Sequence, residues 1–183
     1  RARRDAIATV LRAIEELSHL KNSSVICRPV PHRRAPTGRA IDVWWRGMQQ
    51  NVDLLVLFAH LLSLAPGWRE ATISITSIAT TEMMAQRTER SLDEMLKAAR
   101  IGAGFEVIRK PEGQTIQEII HSRSKDAEVV FLGMKEIEPA EADAQVDRLL
   151  DLMSGLQTVL LVRNSGQFRG QLLGVEPASS HLT

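Results

Sequence analysis

Ile41-Asp42-Val43-Trp44-Trp45 holds two of the chain's three tryptophans, side by side. Its apolar side chains fall on both sides of an extended backbone, the pattern of a strand buried on both faces. A helical run follows at 51–64, stopped by Pro66-Gly67. A second strand follows at 71–78, where Ile73 and Ile75 alternate with Thr72, Ser74 and Thr76. The stretch therefore opens a β-α-β unit, and such units build a parallel sheet covered by helices.

The same alternation continues downstream. A helix at 81–101 carries Met84, Leu92, Met95, Leu96 and Ala99 as a stripe, with Gly102 and Gly104 to end it. A strand at 105–109 precedes a helix at 115–122 with Ile116, Ile119 and Ile120. The strand at 127–132 is nearly all apolar, through Val129-Val130-Phe131-Leu132. A helix at 142–153 and a strand at 158–163 close the series. Right-handed crossovers make this an α/β fold, a doubly wound, mostly parallel five-strand sheet with helices on both faces. Upstream, an amphipathic helix at 5–20 presents Ile7, Val10, Leu11, Ile14 and Leu17. A short strand at 22–27 and a basic, Pro-rich connector at 28–39 follow it. The expected organisation is a helix-strand appendage and connector at 1–40, the α/β domain at 41–165 and a tail at 166–183. The tail either adds a strand at 171–175 or stays loose.

Composition narrows the function classes. The 183 residues are 44% hydrophobic, enough for a core, and 25% charged. A net charge of +1 and only 4% aromatic residues, with no tyrosine, speak against nucleic acid as a partner. The single cysteine, Cys27, rules out an internal disulfide and a cysteine zinc site, and fits a reducing compartment. No stretch reaches the ~18 apolar residues of a membrane-spanning helix. The start, Arg1-Ala2-Arg3-Arg4, has neither methionine nor a signal-peptide core and reads as the start of a fragment.

The residues nominate no catalytic, cofactor or metal site. An open α/β sheet binds ligands beyond the carboxyl ends of its strands, and phosphate there needs glycine-rich turns. Gly133 follows the strand at 127–132, but Lys135 is the only cation near it, and Glu136, Glu138 and Glu141 would repel phosphate. Asp42 and Asp53 read as structural carboxylates, Asp42 meeting backbone or Ser/Thr donors and Asp53 a helix dipole. The histidines, His19, His32, His60, His121 and His181, lack metal-ligand spacing. No Gly-x-Ser-x-Gly elbow occurs. Arg28, Arg33, Arg34 and Arg39 concentrate charge that suits anionic lipid head groups or an acidic partner, if the connector is more than a solvated loop.

In order along the chain, several motifs resemble those of the C-terminal cytoplasmic domain of cation–chloride cotransporters. Ile41-Asp42-Val43-Trp44-Trp45 is similar to that family's Ile-Asp-x-Trp-Trp, and Trp68-Arg69 to its Trp-Arg ahead of a strand. Asp53 to Leu57, Ala127 to Leu132 and Gly155 to Arg163 resemble its apolar helix, late strand and closing helix-strand. The resemblance implies a universal-stress-protein-like fold and a cytoplasmic regulatory and dimerisation domain, not an enzyme. It also implies a transmembrane domain in the same polypeptide that carries the chloride and the potassium or sodium. The helix at 5–20 is the expected dimer surface. Animal members carry a long phosphorylated insertion where only Lys110 to Gln114 stand here, so a prokaryotic member is implied. Universal stress proteins often bind ATP through a Gly-x-x-Gly loop and a later Gly-Ser/Thr; here Gly133 stands alone and Gly155 precedes Leu156. A soluble nucleotide sensor of that type is the alternative reading.

Overall fold

The structure, a computed structural model, describes residues 2–30, 39–45, 51–135, 142–166 and 168. Its elements run α1 (Ala2–His19), β1 (Ser24–Arg28), β2 (Ala40–Trp45), α2 (Val52–Leu64), β3 (Thr72–Ala79) and α3 (Glu82–Ala99). They continue with β4 (Gly104–Arg109), α4 (Ile116–Arg123), β5 (Val129–Gly133), α5 (Ala142–Met153) and β6 (Thr158–Arg163). The sheet order is β1-β6-β5-β2-β3-β4. Strands β2 to β6 pair in parallel, as the alternating pattern predicts. The strand order reverses beside β2, which lies between β3 and β5, so the topological switch point is at β2/β5.

The sheet has six strands among the described residues, where the sequence pattern predicts five. The added strand is β1, antiparallel to β6, with Val25 opposite Val162 and Cys27 opposite Leu160. The appendage is therefore part of the sheet. Its helix α1 buries Ala8, Leu11 and Ile14 in one core with Val146, Leu149 and Met153 of α5. Part of the apolar face expected as a dimer surface is thus used within the chain. Val10 and Leu17, also of that face, stay exposed. The tail strand expected at 171–175 lies outside the described residues.

Two cores flank the sheet, and the tandem tryptophans separate them. Successive side chains of a strand point to opposite faces. Trp44 joins the core under α1, α4 and α5, with Ile119, Ile120, Val130 and Val159. Trp45 joins the core under α2 and α3, with Ile41, Val43, Leu55, Leu92 and Phe131. A central strand buried on both sides has no polar face, which is why its sequence does not alternate.

Candidate functional site

The carboxyl ends of β2, β5 and β6 form the edge where this architecture places ligands. Asn51 sits there, buried, one residue ahead of α2. Its backbone is helical and its side chain caps nothing in α2. Instead its Nδ2 donates to the Met134 carbonyl at 2.7 Å, and its Oδ1 accepts from the Asn164 backbone N–H at 2.7 Å. One amide thus ties the ends of β5 and β6 to the start of α2. Asn164, also buried, accepts from the Gly166 N–H at 2.9 Å. Ser165 donates its hydroxyl to the Lys21 carbonyl at 2.6 Å, and its N–H to Ser23 Oγ at 3.2 Å, which joins the edge to β1's approach.

Gly133 has a reason to be glycine that involves no phosphate. A Cβ there would lie 3.1 Å from Asn51 Nδ2 and 3.3 Å from Asn51 Cβ. The direction a side chain would take is occupied by the protein's own amide, while the glycine itself is exposed. Lys135 is exposed beside it, and Glu136, Glu138 and Glu141 lie outside the described residues.

A second polar cluster lies inside the sheet, on the α4 face of β2. Trp44 Nε1 donates to Ser124 Oγ at 2.8 Å, and the Ser124 hydroxyl donates to Asp42 Oδ2 at 2.7 Å. Ser124 is fully buried at the C-terminal end of α4. Asp42 and Trp44 are two apart on one strand, so both reach the same hydroxyl. Burial pushes the Asp42 carboxyl above its usual range, and the Ser124 hydrogen bond partly opposes this. The expected Ser/Thr donor for Asp42 is therefore Ser124. Asp53 is buried in the first turn of α2, where the helix dipole favours a carboxylate. No group of three metal-ligating side chains occurs among the described residues.

The remaining nominated residues have structural surroundings. His121 Nε2 lies 2.8 Å from the Leu152 carbonyl, joining α4 to α5. His60 is half-buried on α2, and His19 is 3.9 Å from Glu15 on α1. His32 and His181 lie outside the described residues. Cys27 is exposed on β1. Arg28 is held within the fold: its guanidinium donates to the Met153, Leu156 and Gln157 carbonyls at 2.8, 2.8 and 2.9 Å. It closes the C-terminal end of α5, as a cation does best. Arg33 and Arg34 lie outside the described residues. Arg39 stacks 4.9 Å over Trp68, and Gly67, at φ +83°, leaves room for that guanidinium. Trp68 thus helps fix the approach to β2 against the turn that follows α2, while Arg69 is exposed.

The sequence reading missed Asn51, Ser124 and Asn164. Asn51 carries a signal, since asparagine ahead of an apolar helix reads as a cap, but that signal points to the wrong partner. Ser124 and Asn164 show no local pattern.

The cytoplasmic domain of a prokaryotic cation chloride cotransporter is similar in structure, with a TM-score of 0.64 and 18% sequence identity. The match covers 90% of this chain and 60% of that domain. At this identity the likeness establishes a shared fold. No protein-family model matches the sequence, and no curated protein matches it.

Proposed function

We propose that this chain is a regulatory and assembly domain of a membrane cation–chloride cotransporter, placed at the cytoplasmic face of the cell membrane. One observation carries the reading: the cotransporter-like motifs occur in order on a chain whose fold matches the solved cotransporter domain over 90% of its length. The motif residues serve architecture. Asp42 and Trp44 meet at Ser124, and Trp68 receives Arg39. The domain is not an enzyme and binds no nucleic acid. Its partners are a transmembrane domain of the same polypeptide and a second copy of itself. Pairing of two copies would bias the membrane part between conformations through differential contacts in each. Arg33 and Arg34 carry the lipid-facing charge of this reading, since Arg28 is held by α5.

The universal-stress-type nucleotide reading gains little support from the geometry, because Asn51 stands where a side chain on Gly133 would go and Lys135 is the one described cation in that turn. Calorimetry of the chain with ATP is expected to stay flat; a saturable heat lost in Gly133→Ala would restore that reading. The transporter reading is tested on the encoding reading frame and its product. Upstream segments of about 20 apolar residues each, and chloride-dependent cation flux in liposomes that changes when this domain is deleted, are the expected results. A frame without such segments overturns it.

A further inference from the structure

We infer that the open edge of β4, with the groove beside it, seats an extended peptide segment of a partner protein, apolar and carrying a carboxylate. The inference goes beyond the assembly role and names a different partner. β4 ends the sheet and pairs only with β3 among the described residues. Residues of a strand turn their N–H and C=O groups to its two sides in alternation. The Lys110 N–H donates to the Ala79 carbonyl of β3 at 2.9 Å, so Phe105, Val107 and Arg109 turn their backbone groups to the open side. Such an edge is a template for another strand, and proline or a bulge commonly blunts it. β4 reads Gly-Phe-Glu-Val-Ile-Arg, without proline, and keeps an unbroken register with β3 from Gly104 to Arg109.

The surroundings of this edge select its occupant. A groove of about 410 Å³ opens where α3 meets β4. Buried Leu96 and Ile101 and exposed Phe105 line it, an apolar seat for one side chain. Arg100 lines it too, exposed, with no carboxylate in ion-pair reach among the described residues. Three cations nearby are already paired: Lys97 with Asp93 at 2.6 Å, Arg109 with Glu82 at 3.8 Å and Arg123 with Glu106 at 2.9 Å. Arg100 also holds a left-handed backbone at φ 53°, where glycine would be unstrained. Lys97, in the last turn, already answers the α3 dipole. Strain kept at an unpaired guanidinium points to a use outside the fold. A carboxylate is the group it pairs with best. Edge hydrogen bonds, an apolar seat and a guanidinium in one place suit a peptide strand, whose main chain supplies affinity and whose side chains supply specificity. A second copy suits the place less well, because the one carboxylate of its β4, Glu106, is already engaged by Arg123.

Fluorescence anisotropy of the 183-residue chain with a labelled Glu-Val-Thr-Val-Thr-Val peptide and its reverse, which cover both strand directions, is expected to show saturable micromolar binding of one of them. Amide exchange at Phe105 and Val107 should slow in the bound state. Val107→Pro removes an N–H that β3 does not use, at a place where an edge strand takes proline, and should abolish binding. Arg100→Gly should raise the dissociation constant about tenfold, and changing the peptide's glutamate to lysine should do the same. If Val107→Pro fails to fold, a peptide N-methylated at alternate amides decides the matter, since it should not bind the unaltered chain. No saturable binding of either peptide overturns the proposal, as does binding that Val107→Pro or N-methylation leaves unchanged. Binding indifferent to Arg100→Gly and to the peptide's charge overturns the carboxylate. Binding that appears only in a chain shortened to residues 1–168 makes the tail the occupant and overturns the partner, as does a dimer in sedimentation velocity that Val107→Pro dissolves. None of these results bears on the reading-frame and flux tests of the transporter reading.

Discussion

Trp44 and Trp45 differ in chemistry as well as in direction. Trp44 donates to Ser124, which donates to Asp42, so a buried indole N–H and a largely buried carboxylate share one hydroxyl. Removing that hydroxyl leaves both without it. Ser124→Ala is expected to lower stability by about 2 kcal/mol in urea unfolding; a loss below about 0.5 kcal/mol would mean the cluster matters little. The carboxylate also makes stability depend on pH. Its native pKa is raised above the usual 3.8, so the folded chain holds this proton where the unfolded chain has released it. The Asp42 contribution therefore falls as pH rises from 3.8 through the raised value and is flat above it. Asp42→Asn keeps an acceptor for Ser124 and removes that step. The wild-type stability minus that of the variant should decline across this window and level off, with the variant no less stable at neutral pH. A difference that grows with pH contradicts the assignment. The need of Asp42 for a hydroxyl was legible in the sequence. Its source was not, because Ser124 lies 82 residues away.

At the scale of elements, periodicity located every helix and strand that the described residues contain, while their ends and faces depended on local geometry. The sequence reading ends the third helix at Gly102; in the structure α3 stops at Ala99, and Arg100 takes the left-handed turn at φ 53°. A side chain in that region is strained and glycine is not. Arg100→Gly is expected to stabilise the chain by about 0.5–1 kcal/mol net of the added unfolded-state freedom, read as a higher urea midpoint at constant slope. A destabilised variant would show that the Arg100 side chain has a contact role. Met84 illustrates a misplaced face. It lies off the buried stripe of α3, is 48% exposed, and accepts a hydrogen bond from Thr80. Ala85 takes the inward position in its place. A residue as small as alanine gives little pattern signal, so the larger methionine draws the reading to itself.

Across the whole molecule, the first 30 residues complete both the sheet and one core. β1 covers the edge of β6, α1 covers α5, and Arg28 closes α5. Arg163 at the end of β6 reaches Ser18 Oγ at 3.1 Å and lies 3.6 Å from Glu15. Deleting residues 1–30 should therefore expose Val146, Leu149 and Met153 and yield an aggregating or markedly less stable protein by size-exclusion and thermal melting. A deletion variant that melts within a few degrees of the full chain would make these residues a true appendage. The sequence by itself determined the α/β class, the parallel run of strands and the two-sided burial of the Ile41 to Trp45 strand, because side-chain periodicity is a local property of each backbone type. Only the tertiary structure decided that β1 joins the sheet, that Asn51 stands where a side chain on Gly133 would go, and that Ser124 serves Trp44 and Asp42. Each of these joins residues far apart in the chain, and no local pattern encodes which distant groups will meet.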